Sequence, residues 1–240
     1  MSELIRVSVE DDCWSFVFNR PDKMNALNAE VVETLMTQIR EAHNGGARVL
    51  AFSGNGRNFS AGFDQGDLDR ESDADLLMRL VRIEMLLQMV ASSPCLTIAL
   101  AHGRNFGAGV DLFAVCRRRF CTMDATFRMP GLRFGLVLGA RRFGAVVGHA
   151  QAREILEETR TITAQEAVRI GLVSKVVDAT AKAEVIAEAH RVARLLDPET
   201  RTHLYRVLDI EESDRDLADL VRSASRPGLK ARMLTYISER

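Results

Sequence analysis

Alternating hydrophobic and polar positions open the chain and predict a β-hairpin. The run 4–9 alternates up to an acidic turn at 10–12, and a second run of β-type residues follows at 13–18. Two such runs joined by a short polar turn are typical of antiparallel strands. Pro21 ends the pattern, because proline cannot donate to a strand ladder.

Two later stretches have the spacing of amphipathic helices. Asn28 is the expected N-cap of a helix over 29–43, which Gly45 and Gly46 end. A second helix is predicted from about residue 74 to 91, before Pro94. The positions that we expect to face a core are Val31, Leu35, Ile39 and Ala42 in the first helix, and Leu76, Leu80, Ile83, Leu87 and Val90 in the second.

Short apolar runs alternate with these helices. The runs 47–54 and 95–103 predict buried strands, and 118–122 predicts another strand after a helix that begins near Gly107. Alternation of buried strands with helices is typical of an α/β fold with parallel pairing. The pattern is helical from Ala164 onward, so we divide the chain into an α/β core over 1–163 and a C-terminal helical region over 164–240.

Composition narrows the class of protein. The 240 residues are 47% hydrophobic and 27% charged with a net charge of −1, so we expect neither a nucleic-acid nor a membrane partner. Four cysteines without CxxC spacing indicate free thiols in a reducing cytosol. The N-terminus lacks an apolar leader and no apolar run reaches about 18 residues, so a cytoplasmic protein is expected. HExxH, GxGxxG and P-loop motifs are absent, and we expect no metal site and no dinucleotide site.

Two loops of small residues share one design. Each follows a predicted buried strand and leads toward a helix, the first at 61–63 and the second at 107–109. Glycine lets a backbone N–H approach a ligand closely, and a helix N-terminus adds a partial positive charge. Two such loops facing each other would hold a developing oxyanion between their amides. The alternative interpretation is that both are simple strand-to-helix connections.

Five segments in collinear order carry a resemblance that covers most of the chain. They are NRPDKMNALN, FSGNGRNFSAGFDQGDL, AHGRNFGAGVDLFAVC, ATFRMPGLRFGL and TAQEAVRIGLVSKVV. Together they resemble the crotonase superfamily, the enoyl-CoA hydratases and isomerases of fatty acid metabolism. The resemblance implies a spiral of ββα repeats and a C-terminal helical region that covers coenzyme A and makes oligomer contacts in a homotrimer or hexamer. It also implies an acyl-CoA thioester as substrate and no permanently bound cofactor.

The family pattern, carried over residue by residue, supplies candidate site residues. The oxyanion donors would be the backbone N–H groups of Phe63 and Ala108. A second interpretation of Asp64, as the N-cap of a helix, is equally open. The residues expected near coenzyme A are Lys23, Met24, Ala61, Asp64 and Gly109.

The acids of the chain depart from the family's two-glutamate hydratase pattern. Asp111 stands at the first position, as in some dienoyl-CoA isomerases of the family, and Gly131 stands at the second. A later acid of some isomerases and hydrolases aligns with Gly139. A single-acid proton transfer by Asp111, in an enzyme of the hydratase/isomerase type, is therefore expected. The alternatives are that Asp111 only complements the helix dipole, and that the protein binds acyl-CoA or acts structurally without turnover.

Three further charged residues have open interpretations. Glu84 is expected on a solvated helix face or in an ion pair with Arg79 or Arg82. Arg141 and Arg142 could contact coenzyme A phosphates or acidic neighbours in the protein.

Overall fold

The computed structural model describes residues 3–208 and 212–239. The strands are β1 (Ile5–Glu10), β2 (Cys13–Phe18), β3 (Val49–Gly54), β4 (Leu96–Ala101), β5 (Arg104–Phe106), β6 (Arg118–Cys121), β7 (Thr126–Arg128), β8 (Ile162–Thr163) and β9 (Lys175–Val176). The helices are α1 (Ala29–Asn44), α2 (Asp73–Ala91), α3 (Ala108–Ala114), α4 (Ala140–Val147), α5 (His149–Glu158), α6 (Ala164–Arg169), α7 (Lys182–Ala193), α8 (Pro198–Leu208), α9 (Ser213–Ala224) and α10 (Leu229–Ser238).

The strands form two sheets. A six-stranded sheet has the order β1-β2-β3-β4-β6-β9, and a three-stranded sheet has the order β5-β7-β8. The β1–β2 hairpin is antiparallel, and β2, β3, β4, β6 and β9 pair in parallel. The predicted hairpin and the predicted parallel α/β core are confirmed. Since parallel strands point the same way, the loops that follow β3 and β4 leave from the same edge of the sheet.

Local sequence signals set the helix limits. The Asn28 side chain accepts a hydrogen bond from the Val31 N–H at 2.9 Å, which confirms the predicted cap of α1. Ser72 and Asp75 form a capping box at the start of α2. Every position of the two predicted apolar stripes is buried. None of the helices within the described ranges is both long and apolar enough to cross a membrane.

A chain of aromatic rings fixes the first small-residue loop to the core. The ring centroids of Phe18 and Phe59 lie 5.5 Å apart, those of Phe59 and Phe113 6.2 Å, and those of Phe113 and Phe127 5.0 Å. All four side chains are buried. Phe59 stands two residues before the first loop, and Phe113 lies in α3 after the start of the second loop, so one rigid aromatic cluster anchors both loops.

The C-terminal helices pack back onto α2. A second apolar cluster joins Leu80 of α2 to Leu220 of α9 and Tyr236 of α10, with Phe134 and Leu136 between them. The Asp73 carboxylate accepts hydrogen bonds from three backbone N–H groups at the start of α10, at 2.8 to 3.1 Å. The helical character predicted from Ala164 onward is confirmed.

The surface position expected for Glu84 is wrong. Its side chain is 0% exposed, and both carboxylate oxygens accept from the guanidinium of Arg142 in α4, at 2.9 and 2.5 Å. Arg142 also pairs with Asp216 of α9 at 2.7 Å. Glu84 lies four residues after Leu80 and therefore on the buried side of α2, which α4 and α9 cover. The expected partners bind elsewhere, with Arg79 on Glu71 and Arg82 on Glu33.

We predict that Arg142→Met lowers the free energy of unfolding by about 3–5 kcal/mol, because it leaves the Glu84 carboxylate buried without its cation. Urea denaturation followed by circular dichroism measures the change. The matched control is Arg141→Met, whose half-exposed side chain pairs with Asp216 and Asp219 and should cost at most about 1 kcal/mol. Equal losses in the two variants would contradict the buried-pair interpretation.

Candidate active site

A cavity of about 360 Å³ lies between the two small-residue loops, α2 and the segment that follows β7. This volume is within the range of small-molecule sites. Lys23, Asp64 and Asp111 are the titratable residues that line it within the described part of the chain. Most of the remaining wall is apolar, and it includes Leu80, Met129, Leu132, Phe134, Leu136 and Leu138.

Backbone hydrogen bonds join the loop after β2 to the first small-residue loop. The Leu27 N–H donates to the Gly62 carbonyl at 2.7 Å, and the Ala61 N–H donates to the Met24 carbonyl at 2.9 Å. Met24 has a φ of +50°, in the left-handed region. The two loops therefore form one hydrogen-bonded wall of the cavity.

The two small-residue loops are in direct contact with each other. The Phe106 N–H donates to the Ser60 carbonyl at 3.2 Å. A Cβ added at Gly62 would lie 2.3 Å from the Phe106 oxygen and 2.9 Å from the Ala108 nitrogen. A Cβ at Gly109 would lie 2.4 Å from the Ser60 oxygen. Both positions admit only glycine, because a methyl group would force the loops apart.

The backbone amides of Phe63 and Ala108 have no protein acceptor within the described residues. Leu27 pairs with Phe63 in a parallel bridge whose hydrogen bonds run through Gly62 and Asp64, so the Phe63 N–H points away from Leu27. Ala108 is the first residue of α3, and the first N–H groups of a helix have no acceptor within it. Both residues line the cavity.

Asp111 lies one turn into α3 and lines the same cavity. Its side chain is only 3% exposed, and Oδ1 has no hydrogen-bond partner among the described residues. Burial raises the pKa of Asp111 well above its ordinary value; the Arg142 guanidinium opposes this rise and the Glu84 carboxylate adds to it. A buried carboxyl with a raised pKa beside a cavity is a candidate acid–base group.

Asp64 is held by ion pairing and does not cap a helix. Its Oδ2 pairs with Arg20 at 2.8 Å, and its Oδ1 accepts from the Gly66 N–H at 2.9 Å. Burial acts to raise the pKa of Asp64, but these two bonds outweigh it and hold the pKa below its ordinary value. Arg79 donates to the Asp64 carbonyl at 2.6 Å and lies 4.1 Å from the centre of the Phe63 ring. The N-cap interpretation is therefore wrong, since α2 begins well downstream.

The structure brings together most of the residues selected from the sequence. Gly109 lies outside the cavity wall and packs on Ser60. The apolar wall was missed, although Leu80 belongs to the stripe predicted to be buried and the segment after β7 was recognised as a whole. Within the described residues no group of His, Cys, Asp or Glu side chains is arranged to hold a metal ion. The residues predicted for the site that do line the cavity are Lys23, Met24, Ala61, Phe63, Asp64, Ala108 and Asp111.

Comparison with known proteins identifies the family. The sequence profile described as enoyl-CoA hydratase/isomerase matches residues 13–223. A probable enoyl-CoA hydratase of Mycobacterium bovis is 32% identical over 210 residues, 86% of this chain and 82% of the relative. The peroxisomal Delta(3,5)-Delta(2,4)-dienoyl-CoA isomerase of Arabidopsis thaliana is 31% identical over 191 residues, 72% of this chain and 68% of the relative.

A solved structure supports the same family through its fold. A Bordetella parapertussis protein with a provisional enoyl-CoA hydratase/isomerase name has a TM-score of 0.98 and 52% identity, with all of both chains covered. The chain therefore belongs to the enoyl-CoA hydratase/isomerase family, and the crotonase fold predicted from its five segments is confirmed. It is an enzyme of the hydratase/isomerase type, in a family whose substrates are coenzyme A thioesters.

We predict that Asp111→Asn flattens the pH dependence of stability. The folded pKa of Asp111 is raised, so the native protein keeps a proton that the unfolded chain releases above its ordinary pKa of about 4. Wild-type stability therefore falls as pH rises from about 4 toward the folded pKa, by up to about 1.4 kcal/mol per pH unit from this residue. Urea unfolding at several pH values measures both proteins. Parallel curves for wild type and variant would show that the pKa is not raised.

Proposed function

We propose that the protein isomerises the double bond of an enoyl-CoA thioester by single-acid proton transfer. The amides of Phe63 and Ala108 bind the thioester oxygen, and Asp111 moves the proton. One observation carries the proposal: two backbone amides without protein acceptors and one buried carboxyl without a partner on Oδ1 line the same cavity. Family membership supports an acyl-CoA substrate.

The reaction balances with one acid and no water. The Asp111 carboxylate takes a proton from a carbon of the acyl chain beside the double bond. The electron pair of that C–H bond is delocalised over the double bond and the thioester carbonyl as a dienolate, and the two amides stabilise the negative charge on the thioester oxygen. Asp111 then returns the proton to another carbon, and the double bond is restored in a new position. Each amide donor contributes about 2.7–4 kcal/mol to such a transition state.

A single carboxyl favours isomerisation over hydration. Addition of water needs one group to activate the water and another to protonate the carbon, whereas a proton shuttle uses the same group twice. Gly131 lines the cavity at the family's second acid position, so no second carboxylate is present there. The 31% identity with the Arabidopsis dienoyl-CoA isomerase is consistent with this choice. The same absence favours the second candidate function, acyl-CoA binding without turnover.

The remaining site and assembly assignments are part of the proposal. Lys23, Met24, Ala61 and Asp64 would contact coenzyme A, with Gly109 supporting the second loop. The region 164–240 would cover the ligand and contact other subunits of a homotrimer or hexamer in the cytoplasm. Exposed apolar side chains on α8 support the oligomer contacts, namely Leu204, Val207 and Leu208, at 40%, 68% and 69% exposure.

The first test is turnover of 2-enoyl-, 3-enoyl- and dienoyl-CoA esters in D2O, followed by NMR of double-bond position and deuterium incorporation. We expect isomerisation by the wild type, and a kcat about 10²–10⁴-fold lower for Asp111→Asn with ester affinity nearly unchanged, because the variant cannot accept the proton. The control is Asp219→Asn, whose half-exposed side chain lies in α9. Full activity of Asp111→Asn would exclude it as the proton carrier, and tight binding without turnover would establish the second candidate function.

We predict further that Gly131→Glu introduces hydration of 2-enoyl-CoA. A Cβ at Gly131 would meet Leu136 at 3.4 Å or more, which is ordinary packing distance, so a β-carbon fits without strain, and Gly131 lines the cavity. The new carboxylate would supply the second acid–base group that the wild type lacks, and we expect 3-hydroxyacyl-CoA formation to rise by at least about 10²-fold. The matched control is Gly131→Gln, which fills the same space without a carboxylate. Equal hydration by wild type and Gly131→Glu would contradict a one-acid site.

A further inference from the structure

The Asp111 carboxyl lies directly against the backbone of Gly139. Gly139 directly precedes α4 and has a φ of +66°. A Cβ added to it would lie 1.9 Å from Asp111 Oδ1 and 2.6 Å from Cγ. Contacts below 3 Å between such atoms cannot persist, and the obstacle here is the functional group itself. Only a hydrogen atom fits between the Gly139 backbone and the carboxyl.

The left-handed backbone alone does not explain this glycine. Gly46 and Gly148 have φ values of +75° and +87°, and a Cβ at either would meet nothing within 4 Å. Asparagine or aspartate can adopt the left-handed helical conformation that Gly139 has, at φ +66° and ψ −2°. At Gly139 the space is filled as well, so every side chain is excluded while Asp111 keeps its place.

We propose that Gly139 is the positioning residue of Asp111. Its missing side chain lets the carboxyl occupy one place between the start of α4 and the cavity, so in this chain a side chain at 139 would displace the Asp111 carboxyl from that place. The steric exclusion stands on its own, whereas its effect on turnover rests on the proposed function.

Helix α4, which begins directly after Gly139, also carries the positive charge that acts on Asp111. Arg142 lies three residues after Gly139 in sequence, and its guanidinium is fixed by the Glu84 carboxylate at 2.5 Å. It acts on Asp111 by charge, without a hydrogen bond between them among the described contacts. The start of α4 therefore sets the space of the carboxyl, and α4 also carries the positive charge that acts on it. A displaced carboxyl would lose both.

A thermal-stability cycle tests the steric exclusion without any substrate. We expect Gly139→Ala to lower the Tm at least about 3 °C more than Gly46→Ala, which carries the same backbone strain in open space. In an Asp111→Ala background the carboxyl is gone and only the Cβ of residue 111 remains, 3.2 Å from the added Cβ, so Gly139→Ala should then cost at least about 3 °C less than it does in the wild type. In an Asp111→Asn background the isosteric amide remains, and Gly139→Ala should lower the Tm by as much as it does in the wild type. An equal loss from Gly139→Ala in all backgrounds would overturn the proposal.

Turnover of a 3-enoyl-CoA ester, 3-hexenoyl-CoA, tests the positioning role. We expect Gly139→Ala to lower kcat by about 10²-fold, because displacement of a reacting group by about 1 Å has effects of that size, with KM within about threefold of the wild-type value. Gly46→Ala should keep the wild-type kcat. An unchanged kcat in Gly139→Ala would overturn the positioning role. If the wild type itself turns over no ester, the proposed function fails, while the stability cycle still decides on Gly139.

Discussion

Backbone hydrogen bonds between loops are the constraint on which the site depends. The loops after β2, β3 and β4 leave the same edge of the sheet, and main-chain bonds such as Leu27 to Gly62 and Phe106 to Ser60 hold them together. Among the described residues these bonds leave the amides of Phe63 and Ala108 without a protein acceptor, and both residues line the cavity. A donor fixed in this way needs no reorganisation when a ligand oxygen arrives, which is what makes fixed donors effective in catalysis.

The buried charges behind the cavity affect both the cost of ionising Asp111 and its strength as a base. The Arg142 guanidinium donates hydrogen bonds to Glu84 and Asp216. The positive charge of Arg142 therefore acts on Asp111, whose Oδ1 accepts no hydrogen bond among the described residues. A carboxyl in this position is costly to ionise, and the raised pKa expresses that cost. The same property makes it a stronger base once ionised, because basicity rises with pKa.

The sequence identified polar groups that line the cavity, but it did not identify the buried ion pair behind them. Phe63, Ala108 and Asp111 were selected by the family resemblance, and all three line the cavity. The small residues alone left open whether the two loops are simple strand-to-helix connections. The buried Glu84–Arg142 pair was not predictable, because a Glu among apolar helix positions gives no sign of which distant element covers it.

The sequence by itself determined the hairpin, the order of the main strands and helices, the Asn28 cap, the buried stripes and the family. These depend on periodicity, short-range capping and motif order, all of which are local. Only the tertiary structure decided that Gly139 lies against Asp111, that Arg142 is bonded to Glu84, and which amides have no protein acceptor. Each of these concerns groups far apart in the chain, and their contact is fixed by how the helices pack on the sheet, which no local pattern encodes.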